Sequence, residues 1–167
     1  MTTSGERPEV PQDGTERETL TAMLDFLRAT VVYKVAGLSD EQAFSRPVPA
    51  SELTPAGVVK HLTGVERFWF SIDFADTGVP WPWTSDNRHG NFPIAPDDTL
   101  AGILAGYQEE CARSRKIVAA AELADTARSE GYDFSLRFAL THMIHETGRH
   151  AGHLDLLRET LDGSRGV

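Results

Sequence analysis

The 167-residue chain has a single cysteine, Cys111, and no apolar run long enough to cross a bilayer. One cysteine cannot close an internal disulfide, which excludes the class of small secreted domains that disulfides hold together. Residues 1–17 are polar and contain proline and glycine, so no signal peptide is predicted. We therefore expect a cytoplasmic protein with no membrane partner.

Basic residues are also few, because 16 Lys and Arg stand against 25 Asp and Glu and the formal net charge is −9. Binding to phosphate needs clustered cations, so no nucleic-acid partner is expected, and docking on anionic membranes is disfavoured. The hydrophobic fraction of 40% is ordinary for one globular domain with a core. Cys111 lies in a helical pattern and is more typical of a small buried residue than of a nucleophile.

Four long segments repeat apolar residues at helical spacings of three and four. In chain order the segments are 15–37, 54–76, 97–121 and 134–163. Thr54 before Pro55 is a typical helix start, and an acidic cap at Asp97 or Asp98 is expected for the third segment. Ser39, followed three residues later by glutamine, predicts a further short helical turn.

Neither alternating strand patterns nor repeats are present, so the sequence predicts an all-α four-helix bundle. The connection 77–99, rich in proline and glycine, is long enough to cross the bundle end between the second and third long helices, and His89 within it is predicted to be exposed. Residues 1–14 are expected to form a flexible leader, and residues 15–163 the bundle domain.

Four of the six histidines lie in the string THMIHETGRHAGH near the C-terminus. His145 and His150 are five residues apart and are rotated by about 140° on a helix, which excludes the four-residue spacing of the zincin motif H-E-x-x-H. Glu146 and His150 are four apart, the spacing at which bundle interiors ligate metals. The string therefore predicts half of a metal site, contributed by Glu146 and His150.

A third ligand has to come from a facing helix, and His61 in the apolar stripe of the second segment is the candidate. Two histidines and one glutamate leave a coordination position open, as in catalytic metal sites. The alternative is that these histidines simply pack or lie on the surface. His153 is either a fourth ligand or a hydrogen-bond partner of the substrate, while His142 and His145 lie beside the ligands or on the surface. Glu66 lies on another helix face and is not expected to be a ligand.

Two strings, VVKHLTGVERFWF and HMIHETGRHAGHLDLLRE, resemble the DinB superfamily, and in particular an actinobacterial branch related to mycothiol-dependent enzymes. The second string contains the pattern R-H-x-G-H-x-D-x-L-R-E, and the resemblance covers residues 16–161. It implies a four-helix bundle that holds a divalent metal, zinc or nickel, through His61, Glu146 and His150. Most members have histidine at the position of Glu146, whereas mycothiol-dependent maleylpyruvate isomerases resemble this chain in having glutamate.

Members of known activity use mycothiol, bacillithiol or glutathione. The resemblance therefore implies a metal-dependent thiol S-transferase or isomerase acting on small electrophiles, and a homodimer. His153 and Arg149 are the candidates for binding the thiol, and Arg158 either recognises a carboxylate or pairs with a nearby acid or a neighbouring helix. Trp81 and Trp83 either wall the open metal position or cap the core. The alternative function is a non-catalytic stress-response bundle that binds a metal or a small molecule.

Overall fold

The computed structural model describes residues 7–83 and 94–166. Its helices are α1 (Glu16–Val35), α2 (Asp40–Phe44), α3 (Pro55–Glu66), α4 (Leu100–Ala119) and α5 (Leu136–Asp162). The four long helices form an all-α bundle, which confirms the predicted fold class. Within the described ranges the only β-type pairing is one isolated bridge between Thr126 and Ser135. No helix in these ranges is both long and apolar enough to span a membrane.

Two sequence predictions concern segments that the structure describes only in part. His89 and the centre of the connection before α4 lie outside the described residues. In the N-terminal segment, the guanidinium of Arg7 lies 5.3 Å from the ring centres of both Phe26 and Tyr33 of α1. The division into a leader and a bundle domain remains a prediction.

Side-chain caps explain where the helices begin. Ser39 forms the predicted capping box, and the Thr54 hydroxyl accepts from the backbone N–H three residues on. The acidic cap predicted for α4 is wrong, because Thr99 is the N-cap and α4 begins at Leu100. Asp98 instead accepts from the backbone N–H of Ala95 and pairs with Lys60 across a 2.6 Å contact. The cap itself is made by the Thr99 hydroxyl, which accepts from the Gly102 backbone N–H at 3.1 Å.

The bundle is filled by two apolar clusters, one towards each end, and every long helix contributes polar residues between them. The cluster nearer the C-terminal ends of α1 and α5 includes Val31, Leu62, Tyr107, Cys111 and Leu154. The other cluster includes Leu24, Val65, Phe70, Val118 and Met143. Buried polar residues at the intermediate level, here called the polar waist, are Arg28, Glu66, Ser114, Glu146, Thr147 and His150.

A buried ion pair in the polar waist joins α1 to α3. Arg28 donates from Nε to Glu66 Oε1 at 2.7 Å and from Nη2 to Glu66 Oε2 at 2.6 Å. A third donor, Nη1, reaches Asp25 at 2.8 Å. Burial in this acidic surrounding also keeps Cys111 as a thiol: desolvation, followed by the Glu66 charge, raises the pKa of Cys111 to about 12. Cys111 is buried, as predicted.

Helix α3 continues directly into a π-helical segment, Arg67–Phe74, which the sequence pattern did not predict. Such wide turns are rare and are often found at functional sites. Glu110 of α4 holds the segment by accepting from Arg67 Nε at 3.0 Å and from the Ser71 hydroxyl at 3.3 Å. Asp73 in the same segment is fully buried, and neither carboxylate oxygen has a hydrogen-bond partner among the described residues. Burial raises the pKa of Asp73 to about 6.

Replacing Glu66 with alanine should lower the free energy of unfolding by about 3–5 kcal/mol, because Arg28 would be left buried without its main partner. Chemical denaturation of wild type and E66A measures the difference. The double variant R28M/E66L, which removes both charges, should recover most of the loss. A double variant as unstable as E66A would contradict this account.

Replacing Asp73 with asparagine should stabilise the protein at neutral pH. A raised carboxyl pKa means that the folded state binds the proton more tightly than the unfolded state, so stability is lost as pH rises from about 4 through about 6. Converting the shift from 3.8 to about 6 gives a gain for D73N of up to about 3 kcal/mol above pH 7 and only about 0.5 kcal/mol at pH 4. Denaturation at both pH values tests this, with the exposed-site variant D133N as control. An equal effect at both pH values would refute it.

Candidate metal site

His61 of α3 and the pair Glu146 and His150 of α5 meet at the level of the polar waist. One ligand atom from each of the three residues lies within 4.8 Å of the other two. Glu146 Oε1 is 3.2 Å from His61 Nε2 and 3.1 Å from His150 Nε2. All three side chains are largely buried. The structure thus brings together the trio that the sequence singled out.

The donor set suits a divalent transition metal, because two imidazole nitrogens and one carboxylate oxygen are ligands of catalytic zinc sites. Ligand bonds of about 2.0–2.1 Å at tetrahedral angles separate neighbouring ligand atoms by about 3.3 Å. The contacts of 3.1 and 3.2 Å from Glu146 Oε1 are close to that separation. Among the described residues, no fourth His, Cys, Asp or Glu joins the trio. Metal ligation by these residues stays a prediction.

The two carboxylate oxygens of Glu146 have different partners. Oε1 lies between the two imidazoles, while Oε2 accepts from Arg149 Nη2 at 2.9 Å. Hydrogen bonds from His150 and His61, with the charge of Arg149, hold the pKa of the Glu146 carboxyl well below its usual range. The carboxylate is therefore ionised, and the oxygen that faces the imidazoles is the one left for a metal. Arg149 is itself 54% exposed, so part of its guanidinium remains accessible to a ligand.

His153 contacts His150 on the side away from Glu146, with 3.3 Å between the two Nδ1 atoms. An ionised carboxylate only accepts hydrogen bonds, so His150 donates to it from Nε2. In the neutral tautomer of His150 that has this Nε2 proton, Nδ1 is the acceptor and His153 the donor. If His150 Nε2 bound a metal, its proton would reside on Nδ1 and the bond to His153 would reverse. Contacts of this kind orient a ligand imidazole. The structure places His153 outside the trio, as a support for His150.

The remaining histidine and arginine candidates have different surroundings. His142 is half-buried with its ring centre 4.2 Å from that of Trp69, and burial lowers the pKa of His142. His145 is exposed on the surface. Arg158 donates to the backbone carbonyl of Lys34 at 2.7 Å and pairs with Asp162. Arg158 therefore contacts the neighbouring helix α1, which was one of its predicted alternatives.

A surface of aromatic rings lies beside the trio. Of its phenylalanine and tryptophan rings, only Trp81 and Trp83 were given a possible role near the metal from the sequence. This aromatic patch consists of Phe68, Trp69, Trp81, Trp83, Phe138 and His142. Trp83 packs on the edge of the apolar cluster around Phe70, whereas Trp81 is exposed. A core-capping role thus fits Trp83 and not Trp81. The density of aromatic residues in the string RFWF was the sequence signal that could have indicated this surface.

The fold and the trio define an all-α bundle of the DinB type with a histidine–glutamate cluster suited to a metal. The chain matches the family model described as Mycothiol-S-transferase over residues 19–163. This match spans most of the chain, so the protein belongs to the mycothiol S-transferase family, within the DinB-like clan. No curated protein matches the chain. The family resemblance predicted from two short strings is confirmed.

Substituting the trio should remove metal binding. We expect H150A and E146A to bind less than about a tenth of the zinc or nickel per chain that wild type binds, and H153A to bind with affinity lowered about 10–100-fold. Elemental analysis and calorimetric titration of the purified proteins give these values. The matched control is H145A, an exposed histidine of the same helix, which should bind as wild type does. Wild-type metal content in H150A would exclude the site.

Proposed function

We propose that the protein is a divalent-metal-dependent S-transferase that joins a mycothiol-type thiol to small electrophiles. The observation that carries the proposal is the convergence of His61, Glu146 and His150 within 4.8 Å, in a chain of the mycothiol S-transferase family. Zinc and nickel both suit this donor set. A divalent metal bound there would hold the thiol sulfur as thiolate near neutral pH.

Residues of the chain provide negative charge, orient the ligand side chains and limit the access of water. Glu146 contributes a permanent negative charge, because its neighbours keep it ionised. Arg149 donates to the outer oxygen of Glu146, which favours the orientation in which the other oxygen faces the two imidazoles. His153 orients the His150 ring through the contact between their Nδ1 atoms. The largely buried position of the trio limits access of water and strengthens electrostatic interactions with a bound thiolate.

Arg149 is also the residue best placed to bind an anionic group of the thiol. It stands at the edge of the trio with its side chain half-exposed, and guanidinium groups recognise carboxylates through paired hydrogen bonds. His153 lies on the same helix one turn later and is half-buried. We propose these two residues as the thiol-binding pair.

We also propose that the protein is a homodimer and is located in the cytoplasm. The family resemblance favours a homodimer, and the single buried cysteine suits the reducing cytoplasm. Acidic net charge disfavours nucleic acid as a partner.

Protein reconstituted with zinc or nickel should form conjugates from mycothiol and small electrophiles faster than the uncatalysed reaction, as measured by mass spectrometry. E146Q and H150A should lower kcat/KM by about 100-fold or more, because each removes a ligand. H145A provides the control. If the metal-loaded protein forms no conjugate with any electrophile, the protein is a metal- or small-molecule-binding bundle without turnover.

A further inference from the structure

The aromatic patch is packed like part of a core yet lies at the surface. Phe68 is at its centre, with ring centres 5.3–5.8 Å from those of Trp69, Trp81 and Trp83. Trp81 is 55% exposed, and Phe138 on α5 is 52% exposed. Exposed apolar clusters on this scale mark binding sites more often than isolated exposed residues do.

The patch adjoins the candidate metal site along both helices that carry the trio. On α3, Gly64 follows His61 by three residues, and a Cβ on Gly64 would lie only 3.3 Å from Trp83 Nε1. On α5, His142 precedes Glu146 by one helical turn, and its ring contacts that of Trp69. Both helices therefore lead from the trio to the same group of rings.

Ring geometry favours a small planar occupant. The ring of Phe68 meets its three tryptophan neighbours at interplanar angles of 49°, 56° and 89°. The exposed faces and edges of such tilted rings can contact a further ring edge-on or offset, the arrangements that aromatic pairs prefer. A reacting electrophile must reach the metal site, and the patch adjoins that site on both helices.

We propose that the aromatic patch is the subsite for the electrophile and that it takes small molecules with a planar aromatic group. This inference rests on the proposed thiol transfer. In the reaction with an N-aryl or N-benzyl chloroacetamide, the thiolate sulfur attacks the CH2 carbon. A C–S bond forms, the C–Cl bond breaks, and chloride leaves with the bonding electrons. The proton of the thiol passes to solvent.

The first test compares two electrophiles that share a reactive group, N-benzyl-2-chloroacetamide and N-methyl-2-chloroacetamide, with mycothiol and the metal-loaded protein. We expect kcat/KM, corrected for the uncatalysed rates, to be about tenfold higher for the benzyl compound. F138A and W81A should each reduce this preference to about twofold or less. The matched control is L156A, which changes an apolar residue of α5 that is 62% exposed and outside the patch. It should keep the full preference.

The second test needs neither metal nor thiol. All three tryptophans of the chain belong to the patch, so the intrinsic tryptophan emission reports on this surface alone. Titration with unreactive N-benzylacetamide should shift the emission to shorter wavelength and saturate, because a bound ring removes water from Trp81. N-Methylacetamide should have no such effect, and F138A should weaken the binding of the benzyl compound several-fold.

The outcomes separate this inference from the proposed function. If the protein forms conjugates but shows no preference for the benzyl compound, the aromatic subsite is wrong while the transferase stands. The same conclusion follows if it forms conjugates but N-benzylacetamide does not bind saturably. Saturable binding that F138A weakens, without conjugation of any electrophile, shows that the patch binds aromatic molecules but removes the transferase, and with it the assignment of the patch to an electrophile. Sedimentation velocity gives a further decisive result. If wild type is a dimer that the substitution F138S dissociates, the patch is an interface between two copies and the inference is wrong.

Discussion

The ion pair between Arg28 and Glu66 is the interaction on which the arrangement of the other helices depends. It joins α1 to α3 through two hydrogen bonds in the bundle interior. Two unpaired charges there would each cost several kcal/mol, so α3 has to present Glu66 towards α1. His61 stands five residues earlier and is therefore rotated by about 140° from Glu66. Fixing Glu66 on one side of α3 leaves His61 on another side, where it meets α5.

The candidate site is one part of a polar level that crosses the whole bundle. Apolar clusters lie above and below, and each long helix changes from apolar to polar residues between them. At this level the surroundings are poor in water, so the ionised Glu146 interacts strongly with its neighbours. The rigid helices on either side hold His61 and His150 at that carboxylate. A metal site on such a scaffold needs little rearrangement to form.

Much of the fold and the trio could be predicted because the information is local and periodic. The four-residue spacing of Glu146 and His150 fixes a shared helix face, and the apolar stripe around His61 identifies a facing helix. The π-helical segment after Glu66 could not be predicted, since no residue type marks the change from an α- to a π-helical turn. The partnership of Arg28 with Glu66 joins residues 38 apart in sequence, and helical periodicity does not identify such pairs. The cap of α4 was misassigned because aspartate and threonine are both common N-cap residues and stand side by side before the helix. The ion pair between Asp98 and Lys60, which are far apart in sequence, could not be predicted.

The burial of Cys111 has a consequence for the S-transferase proposed above. Such an enzyme is exposed to alkylation of its own sulfur by the compounds that it processes. Here the only cysteine is 2% exposed, and its raised pKa of about 12 keeps it in the unreactive thiol form. A bound thiol co-substrate is then the one strong sulfur nucleophile that an incoming electrophile meets. In the proposed reaction, Cys111 is thereby protected from alkylation, and the electrophile is left to react with the thiol co-substrate.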